Sequence, residues 1–167
     1  MPYSDFLDSF KVENRTHHLY YSFAEPPGKM NEDYELPPLM QSLFDIEKVT
    51  FWQGFGTITR PHTDAMENMM CMFKGWKKFH IASPNDRKFI YTGTEGYPDN
   101  YSPCEFYAPD YKRYPLLKKA RLNVAHIEAG DCLYVPAYWW HQVESCPTEA
   151  IGIAAFFKTY HQSVDLL

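Results

Sequence analysis

The stretch Glu128-Ala129-Gly130-Asp131-Cys132-Leu133-Tyr134-Val135-Pro136-Ala137-Tyr138-Trp139-Trp140-His141-Gln142-Val143 decides how this chain folds. A tight turn at Ala129-Gly130-Asp131 feeds an apolar strand that stops at Pro136, because proline has no N–H to give a sheet ladder. A short aromatic connection follows, and His141 opens the next strand. The same grammar repeats outward. Short β-like runs cover Val49 to Gln53, Thr57 to Thr59, Met66 to Phe73, Lys77 to Ala82, Asn123 to Ile127, Cys132 to Val135, His141 to Ser145 and Ile151 to Phe157. Gly54 and Gly56, Lys74-Gly75 and Ser83-Pro84-Asn85-Asp86 supply the residue types that tight turns need between them. About eight short strands so punctuated predict a mainly β sandwich or barrel.

The first third is less regular. Ser4 to Phe10 reads as a short helix with Ser4 as its N-cap, His18 to Phe23 as a strand cut off by Pro26-Pro27-Gly28, and Leu39 to Phe44 as a second short helix after Pro37-Pro38. Residues 1–46 are thus expected to cover a core spanning 47–167. That core is interrupted at about 90–122 by a Gly-, Pro- and Tyr-rich insertion with one helical turn at Leu116 to Ala120, and a connection that long is functional or loosely ordered.

Composition narrows the class. At 167 residues, 45% hydrophobic and 17% aromatic, the chain is one folded domain and not a disordered one. With 16 Lys+Arg against 21 Asp+Glu the formal charge is −5, so no overall positive field draws in phosphate backbones. Cys71, Cys104, Cys132 and Cys146 show no paired or metal-type spacing and read as reduced thiols. No apolar run is long enough to span a bilayer, and the N-terminus lacks the charged and apolar regions of a signal peptide, so a soluble cytoplasmic or nuclear protein with no membrane partner is expected.

Two histidines differ from the other five by their neighbours. In Arg60-Pro61-His62-Thr63-Asp64 the i, i+2 spacing of an extended segment turns His62 and Asp64 to one face. Joined by His141, two imidazoles and a carboxylate occupy one face of an octahedron and leave three positions open. That is the arrangement of non-haem iron(II) oxygenases, in which a cosubstrate and O₂ must both reach the metal. Zinc with an open hydrolytic position uses similar donors. Lys77, across the hairpin turn at Lys74-Gly75, would receive the distal carboxylate of a chelating dicarboxylate such as 2-oxoglutarate, with hydroxyls of Thr59 and Tyr20 alongside. Its bland reading is a solvated pair with Lys78.

In combination, Phe51-Trp52-x-Gly54, Thr59-x-x-His62-x-Asp64-x-x-x-Asn68, Phe73-Lys74-Gly75-x-Lys77, Ser83-Pro84 and the Ala129 to His141 segment resemble the JmjC-type branch of the cupin 2-oxoglutarate oxygenases, from about Leu19 to the end. The resemblance implies a double-stranded β-helix (cupin or jelly-roll) with short N-terminal helical segments. It implies Fe(II) on His62, Asp64 and His141, the cosubstrate 2-oxoglutarate on Lys77, Thr59 and Tyr20, and Asn68 near the cosubstrate or oxygen site. The reaction implied is hydroxylation of a protein side chain or a modified tRNA base, since the local likeness is to small tRNA and JmjC lysyl or asparaginyl hydroxylases. Lys112, Arg113, Lys118, Lys119 and Arg121 would suit tRNA, whereas Tyr97, Tyr101, Phe106, Tyr107 and Tyr111 would line a peptide groove. Trp52, Trp139 and Trp140 are candidate walls of the site. Many relatives carry Asn where this chain has Ala155, a departure that bears on the cosubstrate site and leaves an inactive cupin-fold interaction module as the alternative. Relatives also often continue into C-terminal dimerisation helices, which a chain ending at Leu167 lacks, a departure that bears on its completeness and on whether it forms the homodimer.

Overall fold

The computed structural model describes residues 2–9 and 20–158, with eight strands and two short helices. His17, His18, Leu19 and His161 lie outside the described residues. Helix α1 (Tyr3–Ser9) begins two residues earlier than the Ser4 cap anticipates and buries Phe6. Helix α2 (Pro38–Leu43) starts on a proline, whose fixed φ suits the first helical turn, and ends where Phe44 becomes extended. The strands are β1 (Tyr20–Ala24), β2 (Asp45–Gly54), β3 (Glu67–Lys74), β4 (Trp76–Ala82), β5 (Asn123–Glu128), β6 (Cys132–Val135), β7 (Trp140–Ser145) and β8 (Ala150–Lys158). Thr57–Thr59 does not become a strand. It is held to β7 through an isolated bridge at Ile58–Glu144, flanked by Thr59 N to Val143 O and Ser145 N to Thr57 O.

All pairings are antiparallel, and they form two sheets of order β1-β2-β8-β3-β6 and β5-β4-β7. The period of two along each strand sorts the side chains. Met70 and Met72 of β3, Phe79 of β4, Ile127 of β5, Val135 of β6, Val143 of β7 and Phe156 of β8 meet in one core between the sheets. The opposite face of the larger sheet is covered by α2 and its flanks, where Met40, Ala155 and Phe157 pack with Phe44, Val49 and Met69. Burying each of these large apolar side chains contributes about 1.5–3 kcal/mol. The insertion is ordered by an apolar nucleus of its own: Ile90, Cys104, Phe106, Tyr114 and Leu117 close over Ala82 and Trp140. Among the described residues, no helix is long and apolar enough to cross a membrane.

One expectation is overturned here. Cys71 and Cys132 are not free thiols; the register of β3 against β6 pairs them directly, at 4.1 Å between Cα atoms, and they form a disulfide. Cys104 and Cys146 remain free and buried. The bridge closes a separation of 61 residues, so its loss frees a long loop in the unfolded chain. Replacing both Cys71 and Cys132 by Ser is therefore expected to lower the unfolding free energy by about 2–4 kcal/mol, measured by urea titration of the oxidised parent and the variant.

Candidate metal centre

His62, Asp64 and His141 arrive from two directions and are locked together by backbone. His62 N–H donates to His141 O at 3.0 Å and His141 N–H returns to His62 O at 2.9 Å, so the His62 segment runs as a short antiparallel bridge beside the start of β7. On its other side His62 bridges to Tyr101 of the insertion, whose ring stacks on the imidazole at 5.6 Å. Each of the three residues offers a ligand atom within 4.8 Å of the others'. The two imidazole centroids are 4.3 Å apart, and His141 Nε2 lies 3.6 Å from Asp64 Oδ2.

Both imidazoles are aimed by the same local device. His62 Nδ1 contacts the Arg60 carbonyl at 2.7 Å, and His141 Nδ1 contacts the Trp139 carbonyl at 3.0 Å, in each case two residues back along the chain. A carbonyl accepts only, so Nδ1 carries the proton and the Nε2 lone pair is left for a metal. Burial drives the pKa of His141 down to about 4, helped by the neighbouring His62 imidazole and opposed by the Asp64 carboxylate. The ring is therefore neutral at physiological pH and sheds no proton on binding a cation. Stability from this buried neutral ring is fully present above pH 6.5 and is lost as pH falls through 4.

Along the same inner face lies the ammonium. Lys77 pairs with Ser145 on β7, four residues beyond His141, which places the two Cα atoms roughly 13 Å apart by strand rise. Lys77 is 1% exposed, so its reading as a solvated pair with Lys78 is excluded. Its Nζ donates to the Tyr20 hydroxyl at 2.8 Å and sits 5.0 Å from the Tyr20 ring and 5.6 Å from that of Trp52. Among the described residues no carboxylate pairs with it, and burial lowers its pKa to about 7. Tyr20 reaches this spot because its partner in register is Gly54, where a Cβ would come within 2.7 Å of the ring.

The remaining sequence candidates divide. Asn68 is buried on the inner face of β3 and its Oδ1 has no hydrogen-bond partner. An orphaned carbonyl oxygen at this depth fits a site built to hold a polar molecule. The Thr59 hydroxyl accepts from Val143 N–H at 2.9 Å, which ties it to β7 rather than to Lys77. Trp140 and Phe106 belong to the apolar nucleus of the insertion and line neither a site wall nor a groove. Ala155 lies on the sheet face that packs under α2, so the absence of an Asn side chain there removes nothing from the inner face.

Two residues of the site carry no sequence signal of their own. Glu67, at 8% exposure, accepts from Tyr134 Oη at 2.7 Å and from Ala137 N–H at 2.8 Å, fastening the loop that leads to His141. Gln142 is fully buried. Its Nε2 donates to Thr59 O at 2.9 Å and to a Glu105 carboxylate oxygen, while its Oε1 accepts from Phe106 and Tyr107 N–H. It joins the insertion to the strand that bears the ligand.

Known proteins resemble this chain along most of its length. A family model described as a cupin-like domain matches residues 1–163. The chain is 31% identical to HSPB1-associated protein 1 of Rattus norvegicus over 116 residues, 67% of this chain and 24% of that protein. It is 33% identical to Jumonji C domain-containing protein 5 of Drosophila melanogaster over 128 residues, 74% and 32% of the two chains. It is 31% identical to tRNA wybutosine-synthesizing protein 5 of Gallus gallus over 124 residues, 74% and 36%. The match thus spans about a quarter to a third of the length of these curated relatives. With a mainly β architecture of antiparallel sheets and a family match over nearly the whole sequence, the chain belongs to the cupin-like domain family, in its JmjC-type branch.

Proposed function

We propose that this chain is an Fe(II)- and 2-oxoglutarate-dependent hydroxylase. The observation that carries the reading is one inner face bearing, at one end, two imidazoles with Nε2 left unprotonated beside a carboxylate and, towards the other, a buried ammonium with no carboxylate partner among the described residues. An enzyme that binds a chelating dicarboxylate needs both ends. When bound, iron and 2-oxoglutarate supply oxidative decarboxylation to succinate and CO₂, with one atom of O₂ entering a substrate C–H bond.

The chain's own residues do the rest. His62, Asp64 and His141 hold the metal and leave adjacent positions free, Lys77 and Tyr20 fix the distal carboxylate, and Asn68 offers a carbonyl oxygen to the cosubstrate region. Trp52, its indole N–H bonded to Thr50 Oγ1 at 2.7 Å, keeps water from the ammonium.

Substrate approaches from the metal end. There a cleft of about 520 Å³ is lined by Ser83, Asp86, Lys119, Arg121, Asn123 and Trp139. Asn123, Ile81 and His141 lie side by side across β5, β4 and β7, so the cleft opens in the same row as the ligand. A macromolecule, either a protein side chain or a modified tRNA base, fits an opening of this kind. Incubating the protein with Fe(II), ascorbate, 2-oxoglutarate and either tRNA or a protein extract, then digesting for mass spectrometry, tests the reading. The expected result is a gain of one oxygen atom in one pool together with succinate. No iron-dependent consumption of 2-oxoglutarate with either pool would refute it and favour a binding module.

A further inference from the structure

Resting on the metal assignment above, the geometry points to a positioning role for Tyr138, through its backbone: we infer that the left-handed turn at this residue aims both Asp64 and His141. The turn Pro136-Ala137-Tyr138-Trp139 is closed by Trp139 N–H on Pro136 O at 3.2 Å, and Tyr138 occupies its third position with φ +62°. Of the two central residues only Tyr138 has positive φ, which is the pattern of a type II turn, and such turns call for glycine or asparagine at that place. A tyrosine there is strained. Its side chain is 56% exposed and makes no hydrogen bond among the described residues that would offset this.

What the conformation achieves is visible in the backbone on either side of it. On one side Tyr138 N–H donates to the backbone oxygen of Asp64 at 2.7 Å, fixing the residue whose carboxylate faces the imidazoles. On the other side the chain leaves the turn so that the Trp139 carbonyl meets His141 Nδ1 at 3.0 Å, the contact that reserves Nε2 for a metal. A right-handed or extended residue at 138 would turn the following chain, and with it the Trp139 carbonyl, in another direction relative to the Tyr138 N–H that holds Asp64. One strained residue thus connects two ligands remote in sequence, and its ring is not required for either bond.

Titration with Co(II), followed by its visible absorption, tests this without turnover. Tyr138→Gly and Tyr138→Asn, both at ease in the left-handed region, are expected to keep the parent's Co(II) affinity within about threefold and its spectrum, with Gly melting at or above the parent. Tyr138→Val, which resists positive φ, is expected to weaken Co(II) binding at least tenfold and to alter the band shape. Because the position is half-exposed, Val should still fold; should its melting preclude titration, Tyr138→Ala set against Tyr138→Gly makes the same comparison, with Ala the weaker binder. Parent-like affinity and spectrum in Val, or in Ala if Val cannot be titrated, would overturn the proposal. A loss in Gly matching that in Val would do so too, by showing that the ring matters instead. A parent that binds Co(II) no better than Asp64→Ala would instead bring down the metal assignment itself.

Discussion

Asp64→Ala leaves two imidazoles without their carboxylate, and succinate formation with Fe(II) and 2-oxoglutarate is expected to fall below detection. The magnitude follows from the donor set. Removing a group that only orients a ligand costs about 10–100-fold in affinity or activity, and removing one of three ligands costs more, so a loss beyond about 100-fold is the expected floor. His62→Ala should behave alike, since His62 shares its backbone bridge with His141 but supplies its own nitrogen. Both substituted side chains lie partly exposed at the mouth of the core, so the melting temperature of the metal-free protein should change by only a few degrees. Parent-level succinate from either variant would refute the assignment of these residues.

Lys77→Met separates binding from folding in the opposite sense. A buried ammonium without a carboxylate is a desolvated charge, and replacing it by an apolar side chain of similar length is expected to stabilise the ligand-free protein by about 1–4 kcal/mol. Affinity for 2-oxoglutarate should drop at least about thirtyfold, equivalent to roughly 2 kcal/mol for removing one partner of a buried charge pair. The pH dependence has a definite sign. The folded pKa of Lys77 lies near 7 against 10.5 for a free lysine, so the unfolded chain binds the extra proton between these values and stability rises with pH across that window. The slope is up to about 1.4 kcal/mol per pH unit, present in the parent and absent from Lys77→Met. Isothermal titration with 2-oxoglutarate, beside thermal melts from pH 7 to 10, reads both effects. A variant that is less stable than the parent yet binds 2-oxoglutarate equally would refute the role.

Much of this was legible in the residues. The i, i+2 spacing of His62 and Asp64 and the strand-turn-strand reading around His141 anticipate the meeting of the triad, because strand periodicity fixes faces without tertiary information. Lys77 and Tyr20 meet as anticipated because a single hairpin and one register, Tyr20 against Gly54, decide it. What stayed hidden depends on partners far along the chain. The pairing of Cys71 with Cys132 requires the exact alignment of β3 and β6, which no spacing of cysteines reveals. Gln142 and Glu67 serve backbone groups of segments that sequence leaves unplaced. Thr57–Thr59 has strand-like composition but finds only one bridge. The positive φ of Tyr138 contradicts the residue's own preference, and only the surrounding bonds impose it.

The carbonyls two residues behind each imidazole have a consequence for which ion the proposed site would take. Donors oriented by backbone fix only one face of the coordination shell, and the open face accepts several coordination numbers. Selection then falls to intrinsic affinity, which rises from manganese through iron, cobalt and nickel to copper, and to what the surroundings supply. Protein isolated in ordinary buffers should therefore hold nickel or zinc in preference to ferrous ion, and removing such squatters before adding iron is a condition for seeing turnover at all.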